Sequence, residues 1–206
     1  MFRNDSLGDC VLAARAHATR RMELIEQGAP AIAITDDEVA AEYFVETGGA
    51  DSGMNMLDSL KAWRAGWQAA GQHYTIDAYA ALDPANATQV KQAMYLLNGV
   101  YTGFNLPKSA QSQVGGLWDV VPFYDWDGRA GSWGGHCMWI IGYNATGPIA
   151  ITWGATQQMT WAFFQKYCDS AECFAIVDSL DAWRDPTKPG IDVAALDADL
   201  AAIQAG

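Results

Sequence analysis

Gly134-Gly135-His136-Cys137-Met138-Trp139-Ile140-Ile141-Gly142-Tyr143 is the stretch on which the reading of this chain turns. Two glycines give a flexible lead, one polar ring follows, and an unbroken apolar run leads to a Gly-Tyr ending. A short run of this kind, bounded by glycine, predicts a buried strand. A histidine at the mouth of such a strand can project into a cleft and act as a base; its plainer role is a hydrogen-bonded structural residue. Around it, Val100–Phe104, Ile149–Trp153 and Phe174–Val177 read as further strands separated by Gly, Pro and Asn. A helix over Thr160–Tyr167 interrupts them, and the Gly-rich stretch Trp126–Gly135 reads as a surface loop.

The first half has a different period. An Ala-rich run from Cys10 to about Ile25, stopped by Gly28, reads as a helix. Thr35-Asp36-Asp37-Glu38 is a capping box that opens a second helix to about Val45. Met54, Met56, Leu57, Leu60, Trp63 and Trp67 recur at helical spacing and predict a third helix reaching about Ala70; a fourth is expected over Thr88–Leu97. Pro186 and Pro189 mark a break, and Asp197–Gln204 reads as a short helix docked on the body. A helical half followed by a β-rich half predicts an α+β fold with two lobes and a cleft between them. The 206 residues suit a single domain, with a helical lobe over 1–99, a β lobe over 100–182 and a tail over 183–206.

Half of the chain is hydrophobic and 17% charged, enough for a sizeable core. Its net charge of −12 argues against nucleic acid or an anionic membrane as partner, because both reward Lys and Arg. No apolar run is long enough for a spanning helix, and the N-terminal residues lack the apolar core of a signal peptide, so a cytoplasmic location is expected. The histidines His17, His73 and His136 are scattered, no C-x-x-C pair exists, and Asp119, Asp125 and Asp127 lack calcium-loop spacing. Neither a metal nor another cofactor is expected. Among the four cysteines, Cys168 and Cys173 are close enough in sequence to meet across a turn.

Cys10 opens the first helix. Helix-terminal N–H groups and the macrodipole favour a thiolate there, although a free cysteine is more commonly a small buried apolar residue. A cysteine and a histidine brought together from opposite halves of the chain would make a nucleophile and its base. His17, two turns along the same helix, is too far from Cys10 to act on it and reads as packing; His73 reads as a solvated turn residue.

Asn4-Asp5-Ser6-Leu7-Gly8-Asp9-Cys10 resembles the first motif of the papain-like cysteine peptidases, in which an amide side chain precedes the nucleophile by six positions. Gly134–Tyr143 is similar to that family's His-led strand, and Ile151-Thr152-Trp153-Gly154 to its Asn-Ser-Trp-Gly strand. Ser52-Gly53 resembles the Gly-Gly that binds substrate backbone. The resemblance implies a papain-like two-lobed fold with an antiparallel β lobe. It implies Cys10 as nucleophile, His136 as base, and Asn4 with the Cys10 N–H as the oxyanion hole. Ser52 and Gly53 would bind substrate, and Trp153 would shield the histidine.

The departures from the family pattern bear on activity. Ile151 occupies the position where the family orients its histidine with Asn, and it cannot hydrogen-bond. Thr152 is the polar substitute, yet strand alternation points it away from Ile151, so it is expected to reach His136 only through a bulge. Packing by Trp153 is then the expected support for the imidazole, with weak general peptidase activity as the result. Two functional readings follow. In the first, the protein is a thiol hydrolase of peptide or isopeptide bonds, with a peptide or protein as its partner. In the second, it is a papain-fold binding or assembly component without turnover, flanked by neighbouring subunits and particle-associated if viral.

Overall fold

The computed structural model describes residues 1–27, 32–122 and 126–178, together with Ala198. The helix stop at Gly28, Asp125, and the expected break and helix of the 183–206 tail lie outside the described residues. Five α-helices are present among them: α1 (Cys10–Gln27), α2 (Asp36–Glu46), α3 (Met56–Ala65), α4 (Ala87–Leu96) and α5 (Trp161–Tyr167). A small hairpin pairs β1 (Trp67–Ala69) with β2 (Gln72–Tyr74). The remaining strands are β3 (Ala78–Ala81), β4 (Val100–Leu106), β5 (Leu117–Trp118), β6 (Gly134–Tyr143), β7 (Pro148–Thr152), β8 (Ala155–Met159) and β9 (Cys168–Val177). They form one sheet in the order β3-β9-β4-β6-β7-β8-β5, antiparallel except where β5 meets β8.

Local chemistry sets the helix ends. The Thr35 hydroxyl accepts the Glu38 N–H while the Glu38 carboxylate accepts the Thr35 N–H, closing the capping box that starts α2. Asn55, Asn86 and Thr160 cap α3, α4 and α5 through their side-chain oxygens. The helix expected to continue to Ala70 ends at Ala65 instead. Gly66 takes φ 102, a conformation open to glycine, and Trp67 begins β1 rather than another helical turn.

The sheet carries a core on each face. Alternation along β4 and β6 turns Tyr101, Cys137 and Trp139 towards α1, α2 and α3, where they pack with Leu12, Tyr43, Leu60 and Trp63. Val100, Phe104, Met138 and Ile140 turn the other way, onto Val90 and Met94 of α4 and Phe163 and Phe164 of α5. Arg15, fully buried in α1, ion-pairs with Glu46 at the end of α2 and lies over the Trp67 ring. Among the described residues, no helix is long and apolar enough to cross a membrane.

Candidate active site

The residues before α1 form a brace beneath Cys10. Phe2 is buried and its N–H donates to Asp36 Oδ1 at 2.9 Å; Arg3 ion-pairs with Asp37. Asn4 does not point into the cleft. Its amide nitrogen donates to Asp9 Oδ1 at 3.0 Å and, more weakly, to the Leu7 carbonyl at 3.5 Å, so both of its N–H groups are engaged. Asp9 is fully buried, and its Oδ2 has no hydrogen-bond partner. Burial raises its carboxyl to about 6, partly opposed by the Asn4 bond.

A second network ties this segment to the Asp51–Gly53 loop on the same, helical side of the cleft. Asp51 Oδ1 accepts the Gly8 N–H at 2.9 Å and the Tyr43 hydroxyl at 2.7 Å. The Tyr43 oxygen in turn accepts the Gly53 N–H at 2.9 Å. Gly53, at φ 74, therefore lines the cleft with its N–H already engaged, and Ser52 lines it beside Gly53. Tyr43 and Asp51 were not legible as site residues. Tyr43 reads in sequence as one more apolar position of an amphipathic helix, and only the fold brings Gly8, Asp51 and Gly53 together.

His136 is the third residue of β6, and its imidazole is held on two sides. Nε2 lies 2.6 Å from Thr152 Oγ1, and the Trp153 ring stacks on it at 4.4 Å between centroids with an 18° interplanar angle. Trp133 and Trp118 pack behind Trp153, whereas Trp126 is exposed and apart. Trp153 itself sits at φ 46 in the β7–β8 turn, which folds its ring over the histidine.

Thr152 reaches His136 without a bulge between Ile151 and Thr152, contrary to the expectation from sequence; the irregularity in this strand pair falls between Ile140 and Gly142. Trp139 pairs with Ile151 and Ile140 with Ala150, so Ala150 and Thr152 share the face of Ile140, Met138 and His136. Ile151 lies on the other face beside Trp139 and across from Thr156. Alternation, which separates Thr152 from Ile151, is what delivers the hydroxyl to the imidazole.

Cys10 and His136 line one open cavity of about 480 Å³, with Gly8, Ser52 and Gly53 on the helical side and Gly135, Cys137 and Glu172 on the sheet side. Burial pushes the Cys10 thiol up from its ordinary value, partly opposed by the backbone N–H of Cys137 and reinforced by the Asp9 and Glu172 carboxylates. Burial lowers His136 to about 4. The resting pair at neutral pH is accordingly a thiol and a neutral imidazole. Among the described residues, no hydrogen bond joins them, and the one that engages the His136 ring is at Nε2.

The other candidates sort themselves by burial. Cys10 is partly exposed, whereas Cys137, Cys168 and Cys173 are buried; all four thiols are free. Cys168 and Cys173 do come together without a disulfide, and the Cys173 side chain, then burial, push the Cys168 thiol up. His17 packs against Phe2 in a tilted arrangement, ring centroids 4.7 Å apart, and burial lowers it to about 4; His73 is exposed on β2 and bonded to Gln68. No group of three His, Cys, Asp or Glu among the described residues could hold a metal ion.

A long helix headed by cysteine, set against a mostly antiparallel sheet whose central strand carries a histidine near its start, defines a papain-like α+β fold. The chain is similar in structure to xylellain, a cysteine protease from Xylella fastidiosa, with a TM-score of 0.64 and 15% sequence identity, over 84% of this chain and 80% of that one. No family model matches the sequence, and no curated protein matches it.

Proposed function

We propose that the protein is a thiol hydrolase of peptide or isopeptide bonds, with Cys10 as nucleophile and His136 as base. The observation that carries this reading is the His136 Nε2–Thr152 Oγ1 contact of 2.6 Å on the wall of the Cys10 cavity. With Nε2–H donating to Thr152, Nδ1 is left as the proton acceptor. Nδ1 takes the thiol proton as sulfur attacks the substrate carbonyl, and the imidazolium then protonates the departing amine. The Cys10 N–H at the head of α1 stabilises the oxyanion; one such donor contributes on the order of 3 kcal/mol. Water, deprotonated by the same Nδ1, hydrolyses the thioester and frees Cys10. Asn4 has a different role in this scheme: it holds Asp9 and the brace under α1.

The second reading, a binding or assembly component of the same fold without turnover, draws on the raised thiol, the lowered imidazole and the engaged Asn4 amide. Hydrolysis of fluorogenic peptide amides separates the two. The hydrolase reading predicts turnover that falls by about a thousandfold or more in Cys10→Ala and in His136→Ala, with circular dichroism unchanged. Turnover that survives Cys10→Ala, or its absence from the unaltered protein across peptide and isopeptide substrates, contradicts it.

A further inference from the structure

Among the described residues, Glu172 is the one carboxylate on the wall of the Cys10 cavity, and no Lys or Arg lines it. It stands on β9 where the pairing with β4 shifts between Thr102↔Cys173 and Phe104↔Cys168. Gly103 makes room for it: a Cβ at that position would lie 2.1 Å from Glu172 Oε2 and 2.8 Å from its Cβ. Among the described residues, no hydrogen bond or ion pair engages its oxygens. Burial, and then the neighbouring Asp169, hold the Glu172 carboxyl above its ordinary range. Asp169 is occupied elsewhere, accepting from Asn105 and from the Ala171 N–H. Glu172 also acts on the nucleophile, since its charge helps to raise the Cys10 thiol.

A half-buried, unpaired carboxylate facing a reaction cavity is poised for a positive charge. We propose that Glu172 makes this site selective for substrates that carry a lysine or arginine side chain beside the bond Cys10 attacks. This rests on the hydrolase reading and supplies its substrate class. A bound cation offsets the desolvation of Glu172 and screens the Cys10 sulfur from it, so the matching substrate also eases ionisation of its own nucleophile. The net charge of −12 adds a long-range attraction for basic chains.

The test uses peptidyl acyloxymethyl ketones identical except for one side chain, lysine or norleucine, with Cys10 labelling followed by intact mass and peptide mapping. Labelling ends at the thioether and needs no turnover. The lysine probe is expected to label about tenfold faster than the norleucine probe. Glu172→Gln brings that ratio close to one, and dividing the two rates cancels any change in intrinsic thiol reactivity. In the unaltered protein, the ratio also falls with added salt and as acid protonates Glu172. Equal rates for the two probes, or a ratio untouched by Glu172→Gln, salt and acid, overturn the proposal. Lysine-selective labelling without amide cleavage leaves the pocket assignment standing and removes the hydrolase reading. Cleavage without lysine selectivity does the reverse.

Discussion

At the scale of single residues, the imidazole of His136 is fixed edge-on by the Thr152 hydroxyl and face-on by the Trp153 ring. The Thr152 hydroxyl, able to donate or accept, fixes the direction of the ring rather than its tautomer, and losing the orienting group in a triad can lower turnover by about four orders of magnitude. Thr152→Val keeps the side-chain shape but removes the hydroxyl. It is expected to lower kcat/KM on a peptide substrate by about a hundredfold or more, whereas Thr152→Ser stays close to the unaltered protein. Ile151→Asn brings no gain, because that side chain faces away from His136. Equal kcat/KM in Thr152→Val and the unaltered protein would contradict this role. The sequence makes both partners visible, yet it suggests the wrong route between them. Counting back from Trp153 singles out Ile151, while the strand register, which no single-strand pattern reveals, sets His136 and Thr152 on one face.

At the scale of elements, α1 is anchored from beneath by the segment carrying Phe2, Asn4 and Asp9. A group raised from 3.8 to about 6 favours the fold while protonated, and that stabilisation is lost as pH rises through the folded value. Above about 6 the protein therefore carries a buried carboxylate with one unpartnered oxygen. Asp9→Asn removes this titration. Urea unfolding should show the variant gaining stability relative to the unaltered protein as pH rises from 4 to 7, by on the order of 2–3 kcal/mol. A difference that stays constant over that range would contradict the assignment. The start of α2 was readable because its signal, Thr35 with Glu38, is local, whereas α3 and α4 were read from apolar spacing and their caps, Asn55 and Asn86, were not singled out. The Trp63–Trp67 pair was misleading because i, i+4 spacing also fits a helix that stops between the two residues. Strand β8 was missed for a related reason. Gln157 and Gln158 look solvated in sequence, yet Gln157 is buried, its amide accepting from the Gly115 N–H and donating to the Gly116 carbonyl.

At the scale of the whole molecule, the strand order puts β6 and β4 in the middle of the sheet, so the strand that bears His136 is backed by core on both faces. The α+β class and its broad division into helices and strands were legible from hydrophobic period alone. The place of Glu172 on the cleft wall, and the bonds by which Asp51 and Tyr43 hold Gly8 and Gly53, were not, since each depends on contacts between distant segments. Packing also ranks the thiols, because only Cys10 combines partial exposure with a place on the cavity wall. The most direct test of the central claim is therefore intact-mass analysis of the protein quenched during reaction with an activated peptide ester, followed by peptide mapping. The account predicts one acyl group, on Cys10, that forms and then decays by hydrolysis; it is absent in Cys10→Ala, and both phases are slowed in His136→Ala. Acylation at Cys137, Cys168 or Cys173, or a Cys10 adduct whose formation and decay ignore His136→Ala, would contradict it.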